Sequence, residues 1–372
     1  MLFKTIAVFT LSILKEGYAV TCTEPGLTMC ECRGTQIYCL GLNLAQIPSN
    51  IPKNTTVLDL SGNQISAINA TSLSGLTSLE KITFNVNEIS SIDAGAFSDL
   101  QSLERLFLEN NKISSIDANL LSGLTSLEDL ILDNNEISSI EDGAFSDLGS
   151  LSTLSLYDNK ISSIGAKLFS GLTSLKTLEI SSNEITSIED DAFPGLQSLV
   201  SLSLSSNKIS RIEDGAFSDL QSLHFIAIEN NNLTTVSANI FDKDIDLRAL
   251  YLRDNPLICC TMADFVEWRQ NQNNITSSDG TCTDFNSTTD IHSFNVSKCR
   301  IDGGWSSWVN STCSVTSHYL PLVEKTEGSN EESLKCSLND CPEACKESGK
   351  KPESKKMKAR KWKIYQYRQL NR

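Results

Sequence analysis

Leucine and isoleucine recur along this chain at fixed positions of a 24-residue unit, L-x-x-L-x-L-x-x-N followed by I-x-x-I-x-x-x-x-F-x-x-L. Alternating apolar residues in L-x-L predict a short strand whose leucines point inward and whose intervening residues point outward. The unit occurs nine times without an insertion, and its asparagine falls at Asn63, Asn87, Asn111, Asn135, Asn159, Asn183, Asn207, Asn231 and Asn255. Self-similarity at this period predicts a solenoid in which each turn packs on its neighbours.

Stacked turns of this kind predict an α/β-type solenoid, a curved leucine-rich-repeat horseshoe with a parallel sheet on its concave side. The leucines and isoleucines fill one continuous core, and the buried asparagine satisfies backbone groups of neighbouring turns. On the convex side Leu73 and Leu121 occupy the phenylalanine position in two turns. The other turns predict an aromatic spine of Phe97, Phe145, Phe169, Phe193, Phe217 and Phe241.

Twelve cysteines lie outside the repeats, which indicates disulfide-bonded caps made in an oxidising compartment. Caps are needed because the end turns of a solenoid would otherwise expose apolar core. No histidine accompanies the cysteines at ligand spacing, so we expect no metal and no cofactor. The cysteines form three groups: Cys22, Cys30, Cys32, Cys39; Cys259, Cys260, Cys282, Cys299; and Cys313, Cys336, Cys341, Cys345.

The chain begins with features of a secretory signal. Lys4 precedes a short apolar run over 5–14, and Gly17-Tyr18-Ala19 offers small residues for cleavage. The run is too short to span a bilayer, so we expect a secreted, extracellular protein with no membrane span. The predicted organisation is a signal at 1–19, an N-terminal cap at 20–54, nine repeats at 55–254, a C-terminal cap at 255–300, a further cysteine-bearing segment at 301–345 and a basic tail at 346–372.

The outward strand positions vary between repeats, whereas the scaffold positions barely change. Core packing does not require large apolar side chains there, and exposed aromatics ringed by charge are typical of an interface. Phe107, Ile131 and Tyr157 make an apolar centre with an acidic rim, which favours a partner with a basic surface. The alternative is a scatter of surface apolar residues with no ligand. The predicted ligand-binding residues are Glu104, Arg105, Phe107, Glu109, Asp129, Ile131, Asp133, Tyr157, Asp158, Phe225 and Tyr251.

Catalysis is not indicated. The three histidines, His224, His292 and His318, lie apart in sequence, and no nucleophile elbow, phosphate loop or metal motif occurs. We therefore expect a non-catalytic protein. Nucleic acid is a poor partner for a chain with a net charge of −15.

Seven N-x-S/T sequons are candidate N-glycosylation sites. None occurs between Asn69 and Asn232, so most of the solenoid would stay free of sugar. The seven are Asn54, Asn69, Asn232, Asn274, Asn286, Asn295 and Asn310.

The pattern C-x7-C-x-C-x6-C, the nine repeats and N-P-L-x-C-C with two later cysteines resemble extracellular leucine-rich-repeat proteins with cysteine-rich caps. The chain looks most like variable lymphocyte receptor-like proteins, with matrix and guidance proteins of the Slit kind as the alternative. The resemblance covers residues 22–299 and implies protein or glycan binding on the concave face. It also implies the disulfides Cys22–Cys32, Cys30–Cys39, Cys259–Cys282 and Cys260–Cys299.

The chain departs from that family in two ways. The stretch 261–281 is short for the antigen-gripping insert of lymphocyte receptors. A Thr/Pro-rich stalk and an apolar anchor signal are also missing. We therefore expect a secreted recognition protein rather than a membrane-anchored antigen receptor.

Residues 304–308, Gly-Trp-Ser-Ser-Trp, resemble the opening of a thrombospondin type 1 repeat, and 336–342 resemble its close. Ser317 stands where the family's second cysteine belongs, and the arginines that interleave with the tryptophans are missing. The segment therefore resembles a truncated module, with a C-mannosylation-like W-x-x-W at Trp305. For its cysteines we expect Cys313–Cys336 and Cys341–Cys345.

The tail at 346–372 carries eleven basic residues against Glu347 and Glu353, a net charge of about +9. Such a run is typical of a disordered segment. Because it also contains Trp362, Tyr365 and Tyr367, it suits sulfated proteoglycans or anionic microbial surfaces.

These features predict a recognition protein of innate immunity or pathogen recognition that binds a microbial or host ligand, protein or glycan, on its concave face. The alternative is a Slit-like matrix, guidance or adhesion protein that engages sulfated proteoglycan through its tail and thrombospondin-like segment.

Overall fold

The computed structural model describes residues 20–190, 192–242, 245–284, 287–299, 332–333 and 356–357. Contacts divide the chain into two units, 1–299 and 300–372. The predicted signal, the last cysteine group, the Trp305 motif, and the sequons at Asn286 and Asn310 lie outside the described residues. Of residues 300–372 the structure describes only two short strands, Glu332–Ser333 and Lys356–Met357, which pair antiparallel.

The described residues of the first unit are built from short strands, most of them three residues long and one per repeat. Each repeat strand is centred on the first leucine-type residue of the L-x-L motif, such as Leu106 in β8, and the second, Leu108, follows the strand; both are buried. The strands are β1 Val20–Thr21, β2 Glu31–Arg33, β3 Gln36–Tyr38, β4 Val57–Asp59, β5 Ala67–Ile68, β6 Lys81–Thr83, β7 Ser91–Ile92, β8 Arg105–Phe107, β9 Ser115–Ile116, β10 Asp129–Ile131, β11 Ser139–Ile140, β12 Thr153–Ser155, β13 Thr177–Glu179, β14 Ser187–Ile188, β15 Ser201–Ser203, β16 Arg211–Ile212, β17 Phe225–Ala227, β18 Ala249–Tyr251, β19 Ser277–Asp279, β20 Thr281–Asp284, β21 Ser287–Asp290, β22 Glu332–Ser333 and β23 Lys356–Met357.

Thirteen of these strands form one sheet in the order β1-β2-β3-β4-β6-β8-β10-β12-β13-β15-β17-β18-β19. At the N-terminal end β1, β2 and β3 pair antiparallel, and every pair of this sheet from β3 onward is parallel. The sheet therefore runs without a break from the N-terminal cap, through all nine repeats, into the C-terminal cap.

The side opposite the sheet is made of turns and two-residue strands. Three parallel pairs occur there among the described residues, β5 with β7, β9 with β11, and β14 with β16. The α-helix of the described chain, α1 Ala263–Asn271, belongs to the C-terminal cap. Short 3-10 turns cover Ala238–Ile240, Cys259–Met262, Ile291–Ser293 and Val296–Cys299.

The core is continuous, and the aromatic spine lies on the side away from the sheet. Phe169, Phe193, Phe217 and Phe241 contact in sequence with ring centroids 5.9, 5.9 and 5.5 Å apart. Neighbouring strands of a sheet lie only about 4.8 Å apart, so the turns are wider at the spine than at the sheet. This difference puts the sheet on the concave side of the solenoid.

The repeated asparagines form a buried ladder that crosses every turn. In a typical rung, Asn87 Nδ2 donates to the carbonyl oxygens of Leu60, 3.0 Å away in the preceding turn, and Phe84, 2.9 Å away. Its Oδ1 accepts from the Ile65 amide at 3.0 Å. Each of these carbonyl oxygens also accepts from the neighbouring rung, Leu60 from Asn63 at 2.8 Å and Phe84 from Asn111 at 3.1 Å, so the asparagines link consecutive turns. An unsatisfied buried polar group costs about 1–3 kcal/mol. The asparagine is therefore a structural requirement of each repeat.

Both ends of the solenoid are closed by cysteine-rich caps. The structure contains the four bonds that the family resemblance implied, Cys22–Cys32, Cys30–Cys39, Cys259–Cys282 and Cys260–Cys299. In the C-terminal cap, α1 packs Phe265 and Trp268 over the last turn, and the Trp268 ring lies 5.3 Å from that of Phe241. The aromatic spine is thus covered by the cap.

Candidate ligand-binding face

The outward residues of the sheet form straight columns because the strands pair in register. Phe107 on β8 lies beside Ile131 on β10, and Arg105 lies beside Asp129. Inward neighbours such as Leu106 are fully buried, whereas Phe107 is only half-buried. A 24-residue unit with no insertion keeps this register in every repeat, so residues far apart in sequence become neighbours on one surface.

Phe107, Ile131 and Tyr157 lie diagonally across β8, β10 and the end of β12, and we call them the N-terminal patch. The Tyr157 side chain is 40% exposed and the other two are half-buried. The Lys81 ammonium lies over the Phe107 ring, 4.9 Å from its centroid. Arg105 Nε lies 3.3 Å from Asp129 Oδ2. The patch is therefore an apolar strip bordered by charged groups of both signs, and its role as a binding site stays a prediction.

Two carboxylates next to the N-terminal patch are partly withdrawn from water. Burial raises the pKa of the Asp133 carboxyl, although hydrogen bonds from the Ser155 hydroxyl and the Tyr157 amide oppose the shift. Burial also raises the pKa of Glu109, Asp133 adds to that shift, and Lys81 opposes it. Within the described part of the chain, neither carboxylate has a cation within ion-pair distance. A cationic group of a partner would relieve this cost.

Phe225 on β17 and Tyr251 on β18 form a second patch, which we call the C-terminal patch. Their ring centroids lie 5.4 Å apart, and the Tyr251 hydroxyl lies 2.5 Å from the Ser277 hydroxyl. Its carboxylates are paired: Arg253 lies 3.2 Å from Glu229.

The structure thus distributes the predicted binding residues over two patches. Strands β13 and β15 separate them. The acidic rim named from the sequence, Glu104, Glu109, Asp129, Asp133 and Asp158, borders the N-terminal patch together with Arg105. Phe225 and Tyr251 stand apart from it.

Val86 and Leu40, two of the exposed apolar residues near the sheet, are not among the predicted binding residues. Val86, 58% exposed, precedes a ladder asparagine and has a left-handed backbone with φ of 59°. Its eight counterparts share that conformation but are Gly, Asn, Asp or Ser, residues that tolerate it better than a β-branched one. Leu40, 51% exposed, directly follows the cap strand β3, in line with the column that contains Glu109. Val86 could have been found in the sequence by comparing the repeats. Leu40 could not, because its position depends on the cap strand β3 being part of the sheet.

The described sequon asparagines are all exposed, and none lies on an outward strand position of the repeats. Asn69 follows β5 on the side away from the sheet, and Asn232 follows a ladder asparagine. Asn54 belongs to the N-terminal cap, and Asn274 and Asn295 belong to the C-terminal cap. Sugars at these positions would leave the repeat surface of the sheet open.

No group of three or more histidine, cysteine, aspartate or glutamate side chains is arranged to hold a metal ion among the described residues. In the same part of the chain, every helix is too short or too polar to cross a bilayer.

Two models of the leucine-rich repeat match this chain. One matches residues 80–137, 125–185, 173–233 and 200–257, and the other matches 54–76. Together they cover more than half of the 372 residues. The chain is therefore a leucine-rich-repeat protein, as its period predicts.

Individual relatives match only short stretches. Human leucine-rich repeat-containing protein 70 is 49% identical over 53 residues, which are 14% of this chain and 8% of that protein. Xenopus laevis biglycan is 44% identical over 50 residues, 13% of this chain and 14% of that protein. Bos taurus asporin is 39% identical over 56 residues, 15% of each. The match therefore spans less than a sixth of the length of each of these relatives.

Among solved structures, a leucine-rich-repeat protein of Leptospira interrogans superposes with a TM-score of 0.51 at 26% identity. The match covers 60% of this chain and 54% of that one. It supports the solenoid fold, which the parallel sheet and the asparagine ladder already establish.

Proposed function

We propose that this chain is a secreted recognition protein whose concave sheet binds a partner with a basic surface, in innate immune or pathogen recognition. The observation that carries the proposal is the N-terminal patch, where large apolar side chains stay half-exposed beside two carboxylates, Glu109 and Asp133, that form no ion pair within the described part of the chain. Neither feature helps the solenoid fold, because apolar exposure and carboxylate burial both cost free energy. A basic partner would offset both costs.

Two further features support an extracellular setting. The caps carry four disulfides, which persist in oxidising compartments. The described sequons leave the repeat surface of the sheet open. The immune role rests on the resemblance to variable lymphocyte receptor-like proteins.

The test is a binding screen of the mature protein against microbial surfaces and extracellular receptor domains. The affinity of an identified ligand is then measured for the wild-type protein and for the double variant Phe107→Ala with Tyr157→Ala. We expect the affinity to fall by about 100-fold, since two interface anchors contribute about 3 kcal/mol together. The control is Lys167→Ala, an exposed residue between the repeat strands, which should leave the affinity unchanged. An unchanged affinity of the double variant would contradict the proposal.

A second candidate is a matrix, guidance or adhesion protein that binds sulfated proteoglycan through the tail and the thrombospondin-like segment. The tail's charge of about +9 and its three aromatic residues favour it. Heparin chromatography of the full chain and of a chain ending at Cys345 separates the two roles. Retention that depends on the tail supports the matrix role, and equal elution of both chains contradicts it.

A further inference from the structure

The N-terminal and C-terminal patches are separated by a strip of small polar side chains on the concave face. Strands β13 and β15 carry this hydroxyl strip, whose half-buried hydroxyl residues are Thr177, Ser201 and Ser203. Glu179 lies among them, between Ser155 and Ser203 in the column of Ile131, and Ser181 is buried next to the strip. The Ser181 and Ser203 hydroxyls lie 2.6 Å apart, and the Ser205 amide donates to the Ser181 hydroxyl at 3.1 Å. Hydroxyls of this size leave space above the sheet and offer both donors and acceptors.

The spacing of the patches follows from the sheet. From the midpoint of Phe107 and Ile131 to the midpoint of Phe225 and Tyr251 there are five strand-to-strand steps. At about 4.8 Å per step this is about 24 Å, which an extended polypeptide covers in about seven residues.

We propose that the partner is an extended polypeptide segment that crosses the strands and places one apolar side chain on each patch, about seven residues apart. The segment's backbone lies over the hydroxyl strip, where serine and threonine hydroxyls pair with its amide and carbonyl groups. This inference rests on the proposed function, because it uses the same face and adds the shape and the chemistry of the ligand.

The charges beside the two patches determine which end of the segment lies on which patch. Beside the N-terminal patch, Glu109 and Asp133 form no ion pair within the described chain, whereas Arg253 pairs with Glu229 at 3.2 Å beside the C-terminal patch. Burial and Asp279 still raise the pKa of Glu229, so the contrast between the patches lies in the ion pair. The lysine or arginine residues of the segment therefore flank the anchor that occupies the N-terminal patch. A matched arrangement of this kind contributes specificity and orientation as well as affinity.

The experiment selects a phage-displayed library of random 12-residue peptides on the full chain. We expect enriched peptides to carry two apolar residues six to eight positions apart, with basic residues beside one of them. The affinity of a selected peptide should fall at least tenfold with Phe107→Ala and at least tenfold with Phe225→Ala, and should not change with Lys167→Ala.

The outcomes separate this inference from the proposed function. If Phe107→Ala weakens the peptide and Phe225→Ala does not, the concave site stands and the bridging segment is wrong. If neither variant weakens it, or if no peptide is enriched, the inference is wrong, and the proposed function is decided separately by the binding screen with Phe107→Ala and Tyr157→Ala.

A second measurement uses the unaltered protein, because Phe225→Ala also removes the ring contact with Tyr251. Three glycines are inserted into the selected peptide, either between the two apolar anchors or outside them. We expect the first insertion to lower the affinity at least tenfold and the second to leave it unchanged. Equal affinities would overturn the inference.

Discussion

Each repeat strand has an inward side, which packs in the core, and an outward side, which faces the concave surface. Different physical constraints act on the two sides, although their residues alternate along the same short strand. The inward side is nearly identical from turn to turn: Leu106, Leu130, Leu154, Leu178 and Leu202 are all fully buried. The outward side changes in every turn, from Phe107 to Ile131 to Ser155. One side is fixed by packing on two neighbouring turns, and the other is free to serve recognition. Adjacent residues can therefore have unrelated roles.

The sharpest test of this contrast compares two neighbours, Leu130 and Ile131. Leu130→Ala removes a fully buried side chain and leaves a cavity between turns, so we expect the free energy of unfolding to fall by about 3 kcal/mol. Ile131→Ala removes a half-exposed side chain, and we expect a loss below about 1 kcal/mol. Chemical denaturation of both variants measures the difference. Equal losses would mean that the outward side also serves packing.

The asparagine ladder offers the next largest effect. Asn135 donates to the Leu108 and Leu132 carbonyl oxygens at 2.9 and 3.0 Å, and accepts from the Ile113 amide at 3.0 Å. Asn135→Ala leaves the buried Ile113 amide without this acceptor and removes one of the two asparagine donors from each carbonyl oxygen, which Asn111 and Asn159 still reach, so we expect a loss of about 2 kcal/mol.

The matched control for Asn135→Ala is Asn119→Ala, which alters an exposed asparagine on the side away from the sheet. It should change the free energy of unfolding by less than about 0.5 kcal/mol. A loss with Asn119→Ala as large as that with Asn135→Ala would contradict the structural role of the ladder.

Most of the inward side could be predicted from the sequence. The single 24-residue period determines the positions of the strand, the core leucines, the ladder asparagine and the phenylalanine of the spine together. The caps required the family resemblance as well, since four cysteines alone allow three pairings. The outward side was predicted only in part. The division into two patches depends on the strand order, and the pKa shifts of Glu109 and Asp133 depend on distances between turns. Leu40 was missed because nothing in its sequence marks the cap strand as part of the sheet.

Val86 adopts a left-handed backbone conformation that a β-branched residue tolerates poorly. Its φ of 59° strains it by about 1 kcal/mol relative to the asparagine that the next two turns have there, Asn110 and Asn134. We expect Val86→Asn to raise the free energy of unfolding by about that amount. Val200→Asn is the control, because Val200 is also exposed and is not among the residues with positive φ. If Val86→Asn and Val200→Asn stabilise the protein equally, backbone strain at Val86 is not the explanation.

The smallest expected effect is a dependence on pH. Burial raises the pKa of Asp133, so the folded state binds its proton more tightly than the unfolded state does. The wild-type protein should therefore gain stability relative to Asp133→Asn as the pH falls through the folded pKa, and the gain should be complete below the unfolded pKa. Unfolding of both proteins between pH 7 and pH 3 measures it. A wild-type protein that loses stability relative to the variant on acidification would contradict the burial of this carboxylate.

The central claim is that the side chains between the strand leucines face solvent and are available to a partner. Hydroxyl-radical footprinting of the full chain, alone and with a peptide selected as above, tests it directly. The account predicts that Phe107 and Tyr157 are oxidised in the free protein and protected by the peptide, while Phe145 and Phe169 are protected in both states. The claim is contradicted if Phe107 and Tyr157 are oxidised as slowly as Phe145 in the free protein. It is also contradicted if the peptide does not change their oxidation.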